Sequence, residues 1–330
     1  LFGNRLGVEF DWYNKLTKDW LVVAPVLYSY GANAPYVNGG NVKNQGLEFG
    51  LHWNDNLGDV FYGINLTGAH NKNKVTKIAN ADGIIHGTGS IPWEGAEELY
   101  RAEVGMPIGY FYGYKTAGVF QNQAEIDAYE GALLNGNNTN PGDVIYVDNN
   151  NDGVIDAKDR TMIGDPHPDF TLGLSFNVEW KGIDLSVSGF GAFGQQIFKC
   201  YRDFSSSPLN NYTTDILKRW TGEGSSNKYP RLASSSNSNW NKISSLYIED
   251  GDYFKVQNIT LGYDIAKAFK KFPLKTCRVY VTGQNLFTFT SYSGMDPEIG
   301  YGGGSGWAQG IDLGYYPSAR TILFGVNLKF

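Results

Sequence analysis

Apolar and polar residues alternate with a period of two along several segments of the chain. In residues 5–12, one face of an extended chain carries only apolar side chains, those of Leu6, Val8, Phe10 and Trp12. The opposite face carries charged residues or glycine. The same alternation recurs in residues 45–54, 169–180 and 319–330. Since successive side chains of a strand point to opposite faces, this pattern predicts strands with one apolar and one polar face.

The alternation and the turn signals between segments predict nine strands. They lie at residues 4–13, 19–27, 45–54, 59–72, 169–180, 183–194, 253–264, 277–288 and 319–330. Ten residues at a rise of ~3.3 Å, tilted by about 45°, span roughly 25 Å, which is the height of the apolar band of an outer-membrane barrel. In the seventh segment Phe254 and Val256 are out of phase with Ile259 and Leu261, so we expect a bulge between the two pairs.

The predicted connections alternate between short and long. The links after the first, third, fifth and seventh strands are short and read "KLTK", "DNLGD", "KG" and "AKAFKKFPLKT". The others are long and cover residues 28–44, 73–168, 195–252 and 289–318. Alternate connections of an antiparallel meander fall at the same end, so this order predicts an all-β, transmembrane antiparallel β-barrel with long extracellular loops and short periplasmic turns. A soluble β-sandwich also alternates, but its loops need not sort by parity.

Composition and charge narrow the class further. Aromatic residues make up 15% of the chain and charged residues only 18%, with 42 glycines, which favours strands and turns over helices. The longest apolar runs, such as "WLVVAPVLY" from Trp20, are far shorter than the roughly 20 residues of a membrane-spanning helix. A net charge of -6 without a basic run gives no footprint for nucleic acid.

Nine strands cannot form a closed bacterial barrel on their own. Such barrels normally have an even strand number, and a sheet with open edges would leave backbone groups unpaired in lipid. We therefore expect these strands to pair with further strands. Cys200 falls in a long loop and Cys277 at the short-turn end of a strand, so we expect the membrane thickness to keep the two thiols apart.

Several stretches, in order, resemble the C-terminal barrel of the SusC/RagA family of TonB-dependent outer-membrane transporters. They are "NVKNQGLEF" from Asn41, "GYFYGYKTAGVFQNQAEI" from Gly109, "PGDVIYVDNNNDGVIDAKDRTMIGDPHPDFTLG" from Pro141, "YFKVQNITLGY" from Tyr253 and "RVYVTGQNLFTFTSYSGMDPEI" from Arg278. The chain ends in an alternating strand that terminates with Phe330. This terminus resembles the signal that the barrel assembly machinery of the outer membrane recognises.

The resemblance implies more than the residues show. It implies a location in the bacterial outer membrane and a 22-stranded barrel, of which residues 1–330 would be the C-terminal part. The plug domain, the TonB box and the early strands would then lie outside this chain. It further implies import driven through TonB, a SusD-like surface lipoprotein as a lid, and an oligosaccharide or oligopeptide as substrate. The alternatives are a secreted carbohydrate-binding β-protein and an enzyme barrel, although no convincing nucleophile and base pair supports catalysis.

The segment "DNNNDGVIDAKD" has the spacing of a calcium-binding loop. The oxygen ligands in the order of an EF-hand loop would be Asp148, Asn150, Asp152, the carbonyl of Val154, Asp156 and Asp159. The last position differs from that pattern, because it holds Asp159 where glutamate is usual and no helices flank the loop. The competing interpretation is an Asx-rich external loop that is stabilised by its own turns.

Aromatic residues fall into two predicted groups. Those in the long loops could stack on a sugar or fill a peptide side-chain pocket, or could instead pack the loops together: Trp93, Tyr100, Trp240, Tyr301 and Trp307. Those near the predicted strand ends on the apolar face are typical of an interfacial girdle: Trp12, Trp53 and Trp180. The polar residues Glu9, Glu48 and His52 are expected to face the lumen.

Overall fold

The computed structural model describes residues 1–23, 36–200, 212–232, 239–269, 272–300 and 306–330. Its strands, numbered along the chain, are β1 (Leu6–Val23), β2 (Tyr36–Leu57), β3 (Val60–Ile78), β4 (Ile84–His86), β5 (Tyr100–Glu103), β6 (Tyr110–Gly113), β7 (Thr116–Val119), β8 (Val144–Tyr146), β9 (Thr161–Gly164), β10 (Phe170–Trp180), β11 (Ile183–Phe193), β12 (Gln196–Lys199), β13 (Ile248–Asp250), β14 (Tyr253–Asp264), β15 (Thr276–Thr290), β16 (Ile311–Asp312) and β17 (Thr321–Lys329).

Helices are few and short in the described residues. The α-helices are α1 (Gln123–Asp127) and α2 (Ile265–Ala268), and the 3-10 helices are Gly136–Asn138, Ala157–Asp159, Thr214–Lys218 and Ser245–Tyr247. Asn122 caps α1 by accepting a hydrogen bond from the backbone N–H of Glu125. Within the described ranges, no helix has the length and hydropathy needed to cross a membrane.

Eight long strands form one antiparallel sheet in the order β1-β2-β3-β10-β11-β14-β15-β17. Neighbours in the sheet follow one another along the chain, apart from the short strands of the intervening loops. This is the predicted antiparallel meander, and it confirms the all-β class.

The predicted division of residues 4–27 into two strands is wrong. β1 runs without a turn through "KLTK", with Lys15 paired to Asn44 and Thr17 to Val42. Asp19, with a φ of 54°, absorbs an irregularity, after which pairing resumes at Trp20. Residues 24–27 of the predicted second strand lie outside the described residues. The polar "KLTK" residues therefore mark a change in the environment of the strand, since no turn forms there.

The connections keep their alternation after this correction. The short links are residues 58–59, 181–182 and 265–275, whereas residues 79–169, 194–252 and 291–320 form long loops at the opposite end of the sheet. Residues 24–35, between β1 and β2 in the chain, lie outside the described residues. In the turn at 181–182, Lys181 and Gly182 have φ of 47° and 92°, and positive φ at both central positions is typical of a tight hairpin.

The pairing register places most apolar residues of the eight strands on one face. One row crosses β1, β2, β3 and β10 through Val8, Leu51, Leu66 and Leu174. Another crosses β11, β14, β15 and β17 through Leu185, Leu261, Val281 and Phe324. Side chains on this face are largely exposed, up to 82% for Phe324. An apolar sheet face of this extent in contact with solvent fits a lipid environment, because soluble proteins rarely expose such large apolar patches.

The predicted bulge is confirmed in β14. The register with both neighbours shifts at Gln257, since Ser188 pairs with Asn258 but Gly189 pairs with Val256. The extra residue returns Val256 to the face that carries Ile259. The outward-facing side chains of β14 are therefore apolar over the whole length of the strand.

The packed hydrophobic core lies in the long loops. Thirteen buried residues form the largest cluster: Ala96, Leu99, Tyr100, Phe111, Ile163, Phe198, Cys200, Trp240, Ile243, Leu246, Tyr247, Ala308 and Ile311. They come from all three described long loops and from the strands β5, β6, β9, β12 and β16 within them. The loops therefore fold together into one compact layer at one end of the sheet. Cys200 lies in this layer, and Cys277 pairs with Leu328 at the opposite end; both are free thiols.

The two outer strands of the sheet each have an unpaired edge in the described residues. β1 pairs with β2 alone and β17 with β15 alone. The predicted odd strand number is wrong, because β1 is a single strand and the sheet of the described residues has eight strands. The need for further strands follows from the open edges instead, since lipid offers no hydrogen-bond partners to the backbone of β1 and β17.

A charge on the outward face should destabilise the sheet. Ile259 pairs with Val187 and Gly283 near the middle of β14. In the full-length protein folded into phospholipid vesicles, Ile259→Arg should lower the free energy of unfolding by about 2–4 kcal/mol, measured by denaturant titration. Ser186→Arg places the same charge on the opposite face of the neighbouring strand and should cost less than about 1 kcal/mol. Equal losses for the two variants would contradict the assignment of the faces.

Candidate functional site

The polar face of the sheet carries a row of hydrogen-bonded amide and hydroxyl side chains. His52 Nδ1 lies 2.8 Å from Asn65 Oδ1, and Asn65 donates to Ser175 at 3.1 Å. Further along the same row, Asn258 donates to Ser188 and accepts from Gln284, both at 3.3 Å. The row is continuous because Ser175 and Ser188 are themselves paired across β10 and β11. This face presents neutral hydrogen-bonding groups to whatever occupies the space beside it.

Closer to the long-loop end, the same face has a depression of about 240 Å³ that is acidic on one side. Glu9, Asp11 and Glu48 line one side and the ring of Phe190 lines another. Its floor is made of small residues, among them Gly50, where an added Cβ would lie 3.4 Å from a Glu9 carboxylate oxygen. The placement of Glu9, Glu48 and His52 on the polar face agrees with the prediction.

The loop layer lies over the long-loop end of this face and contains three small sheets. The orders are β4-β5-β6-β9, β13-β12-β16 and β7-β8. Buried polar groups join different loops. The carboxylate of Asp143, 1% exposed, accepts from Arg231 at 2.7 Å and from Asn239 at 2.8 Å. These hydrogen bonds connect two long loops, those of Asp143 and of Arg231 and Asn239, at the long-loop end of the sheet.

The predicted loop aromatics lie within this layer. Tyr100 and Trp240 are 1% and 3% exposed, and both belong to the core cluster. Trp307 packs edge-on against Tyr100 at 4.7 Å between ring centroids, and Trp93 lies 5.8 Å from Tyr247. Tyr301 lies outside the described residues. In this conformation the four described rings pack the loops together, and their contact with a substrate stays a prediction.

The tryptophans predicted for the interfacial girdle lie on the outward face. Trp12 is 63% exposed and Trp180 is 46% exposed, and the indole of Trp53 donates to the hydroxyl of Tyr62 at 3.3 Å. Trp53 and Trp180 are near the short turns. Because β1 continues to Val23, Trp12 does not lie near a strand end; it is the last apolar residue of the alternating run in that strand.

A buried lysine on the polar face fixes the loop between β15 and β17. Lys255 is 2% exposed, and its ammonium group contacts Asp296 at 3.2 Å and also Glu298. Asp296 accepts in addition from the backbone N–H of Ser318 at 3.0 Å. Burial opposes ionisation of Asp296, but the N–H groups of Ser318 and Glu298 and the charge of Lys255 together hold the pKa of Asp296 below its ordinary value. The carboxylate is therefore ionised at neutral pH and pairs with the lysine.

Sequence reasoning missed this ion-pair cluster. The two acidic residues belong to "SGMDPEI", a stretch that carries the family resemblance, but the spacing does not reveal their partner, which is about forty positions away in the chain. A usable signal was the single lysine on the polar side of β14 near its loop end. Such a cation needs a counter-charge once it is buried.

The segment Asp148–Asp159 is held by its own backbone. Asp159, fully buried, accepts the N–H groups of Asn149 and Asp156, both at 2.8 Å. Asp148 accepts from Gly153 at 2.8 Å, and Asp152 accepts from the N–H of Val154 at 3.1 Å. Across the described parts of the chain, no group of three or more His, Cys, Asp or Glu side chains is placed to hold a metal ion. These contacts are those of the Asx-rich alternative, and calcium binding stays a prediction.

Comparison with known proteins gives relatives along the whole chain. It is 32% identical to the TonB-dependent receptor P3 of Formosa agariphila, over 100% of this chain and 33% of that protein. It is 28% identical to the TonB-dependent receptor SusC of Bacteroides thetaiotaomicron, over 99% of this chain and 30% of that protein. The chain thus spans about a third of the length of these curated relatives. No family model matches it.

Among solved structures, the RagAB peptide transporter superposes on 100% of this chain and 34% of its own, with a TM-score of 0.75 and 22% identity. At this identity the likeness establishes the fold, which is that of a transporter barrel. The resemblance inferred from the sequence motifs is confirmed, and so is the outer-membrane location.

The ion-pair cluster of Lys255, Asp296 and Glu298 gives a prediction for the loop formed by residues 291–320. Lys255→Met leaves two carboxylates without their cation, and loss of one partner of a buried pair costs about 3–5 kcal/mol. We expect faster hydrogen exchange in this loop of the full-length protein and unchanged exchange in β10 and β11. Lys275→Met, at an exposed position, is the control. Unchanged exchange in the loop would contradict the anchoring role.

The same cluster predicts a pH dependence. Because the pKa of Asp296 is lowered in the folded protein, its stabilising contribution is present above the ordinary value of 3.8 and is lost as the pH falls through the lowered pKa. Pepsin cleavage in residues 291–320 should therefore accelerate at acid pH. Asp296→Asn should cleave fast already near pH 4.5 and respond less to further acidification. A wild-type response that persists in the variant would show that another group is responsible.

Calcium binding by residues 148–159 is tested directly by chelation. If the loop holds Ca²⁺, a chelator should increase hydrogen exchange in residues 141–168 and leave the strands of the sheet unchanged. Asp152→Asn removes one predicted ligand charge and should abolish the difference between the calcium and chelator samples. Equal exchange of the wild-type loop with and without chelator would rule the ion out.

Proposed function

Because this chain is a homologue of the TonB-dependent receptors of the bacterial outer membrane, we propose that it forms the C-terminal part of a barrel that imports a solute. The observation that carries the proposal is the two-faced sheet. One face is apolar across eight strands, and the other offers a continuous row of amide and hydroxyl groups beneath a packed loop layer. A wall of this kind suits an aqueous path through lipid.

The remaining strands of the barrel would pair with the open edges of β1 and β17. A plug domain would fill the space beside the polar face, and TonB would supply energy through the part of the protein that contains its binding segment. A SusD-like surface lipoprotein would contact the loop layer from outside. The strand that ends in Phe330 would be the segment recognised by the barrel assembly machinery. These partners follow from the family resemblance, and the open edges support the first of them.

The substrate would be an oligosaccharide or an oligopeptide. The RagAB structure is described as that of a peptide transporter, which favours a peptide by analogy alone. The polar row supplies both donors and acceptors, as either substrate class requires. A secreted carbohydrate-binding protein is disfavoured by the exposed apolar face, because it would aggregate in water. The relatives carry the name of receptors, which is consistent with a protein that is not an enzyme.

Uptake by cells tests the proposal. A strain that lacks the full-length gene, complemented with the wild type, should regain accumulation of a fluorescent oligopeptide or oligosaccharide. Gly50→Phe fills the depression on the polar face and should lower uptake at least several-fold, because Gly50 lines the proposed path. Leu51→Phe adds a ring to the lipid-facing side of the same strand and should leave uptake within about twofold.

Heat-modifiable migration in gels must show that both variants fold in equal amounts. Equal uptake by both variants would contradict a solute path along this wall. Failure of the wild type to restore uptake of either labelled class would contradict import of these substrates.

A further inference from the structure

Three lysines lie on the lipid-facing side of the sheet, above the level of Trp12 and Leu47, with Leu16 of β1 paired to one of them. We call Lys43, Lys72 and Lys74 the upper lysine cluster. Leu47, on the outward face, pairs with Trp12 on one side and with His70 on the other. Lys43 is four residues from Leu47, and the other two lysines are two and four residues beyond His70, with no register shift between. Even spacing along a regular strand keeps all three on the outward face.

The cluster has no counter-charge in the described protein. None of the three ammonium groups makes an ion pair or hydrogen bond among the described residues, and Lys72 and Lys74 are exposed. Residues 38–47 and 70–78 contain no Asp or Glu, although the whole chain has a net charge of -6. The positive charge is therefore concentrated locally, and its sign is opposite to that of the net charge of the protein.

Two members of the cluster oppose each other directly. Lys43 and Lys74 are partners in the β2–β3 ladder, and like charges at opposed positions destabilise a sheet. An anion between them would remove this repulsion. The pairing thus points to a negatively charged ligand.

The cluster lies at the level of the headgroup layer and just above it. With a rise of about 3.3 Å and a tilt of about 45°, Lys72 lies roughly 5 Å and Lys74 roughly 9 Å above the level of Trp12 and Leu47. The headgroup region on each side of a bilayer is roughly 5–8 Å thick. Lysine stems can also bend to bring their ammonium groups to the interface.

We propose that the upper lysine cluster binds the phosphate group of a lipid in the outer leaflet. The ammonium groups supply charge and hydrogen bonds to phosphate oxygens. Gln45 pairs with Lys72 on the same face and adds a neutral donor. The occupant is a lipid because the cluster continues the lipid-facing rows that end at Trp12 and Leu47, so an acyl chain below and a phosphate above can contact the same strands. The interaction holds this part of the barrel at a fixed depth.

Lipid retention by the full-length receptor tests the proposal. The purified, delipidated receptor is titrated in detergent with diphosphorylated lipid A, and native mass spectrometry counts the bound lipid. A surface lysine contributes about 1 kcal/mol to binding an anionic headgroup, which is about fivefold in affinity. The triple variant K43Q, K72Q, K74Q should therefore weaken binding by roughly a hundredfold. Dephosphorylated lipid A should bind the wild type and the variant equally.

The matched control removes the same charge elsewhere. Lys15 lies at similar height on the polar side of β1, paired with Asn44, while Lys228 and Lys267 are exposed in a loop and near a short turn. The variant K15Q, K228Q, K267Q should retain wild-type lipid binding. A loss below about threefold in the cluster variant, or an equal loss in the control, would overturn the proposal. Competition by millimolar inorganic phosphate as effective as that by lipid would show an anion site that does not recognise lipid.

Discussion

Every other feature of this protein depends on the cross-strand register that keeps apolar side chains on one face through eight strands. A slip of one residue in any pair would send all the outward-facing apolar side chains of a strand to the polar side. The tight turns at residues 58–59 and 181–182 set this register at one end of the sheet. In β14, where the sequence breaks phase, the bulge at Gln257 restores it. The backbone ladder and the side-chain pattern thus specify the same arrangement.

The register also explains why the packed core lies in the loops. A sheet with lipid on one side and a polar space on the other has no interior of its own, so burial of apolar residues must occur elsewhere. The three described long loops supply it through a shared cluster that includes Tyr100, Phe198 and Trp240. Lys255 links the two parts, because it belongs to β14 and binds carboxylates from the last long loop. Loop positions are therefore tied to the wall of the barrel.

Much of the sheet could be predicted from the sequence, because alternation and turn residues are local signals. The exception at "KLTK" has a physical cause. Above the apolar band β1 no longer needs apolar residues outward, so alternation fades while the hydrogen-bonded ladder to β2 continues to Trp20 and beyond. The structure of the loop layer could not be predicted from the sequence, for a different reason. Its strands are two to four residues long, too short for a period to appear, and partners such as Asp143 and Arg231 meet only after the loops fold together.

The residues of the candidate site differ in the same way in how far the sequence predicts them. The polar-face positions of Glu9, Glu48 and His52 follow from the alternation of residues along a strand alone. The ion-pair cluster of Lys255 forms only when the last long loop folds back onto β14. The loop aromatics were identified by type and location, but their burial depends on neighbours distant in sequence. The same holds for the upper lysine cluster, because opposed lysines are recognised only from the register of two strands.

The central claim is that one face of this sheet meets lipid and the other meets water, and spin-label accessibility along β11 tests it most directly. Single nitroxides at residues 184 to 188 of the full-length receptor in vesicles should alternate strictly. Positions 185 and 187 should be accessible to oxygen, and positions 184, 186 and 188 to a water-soluble nickel complex. Uniform accessibility to the nickel complex at all five positions would contradict the account.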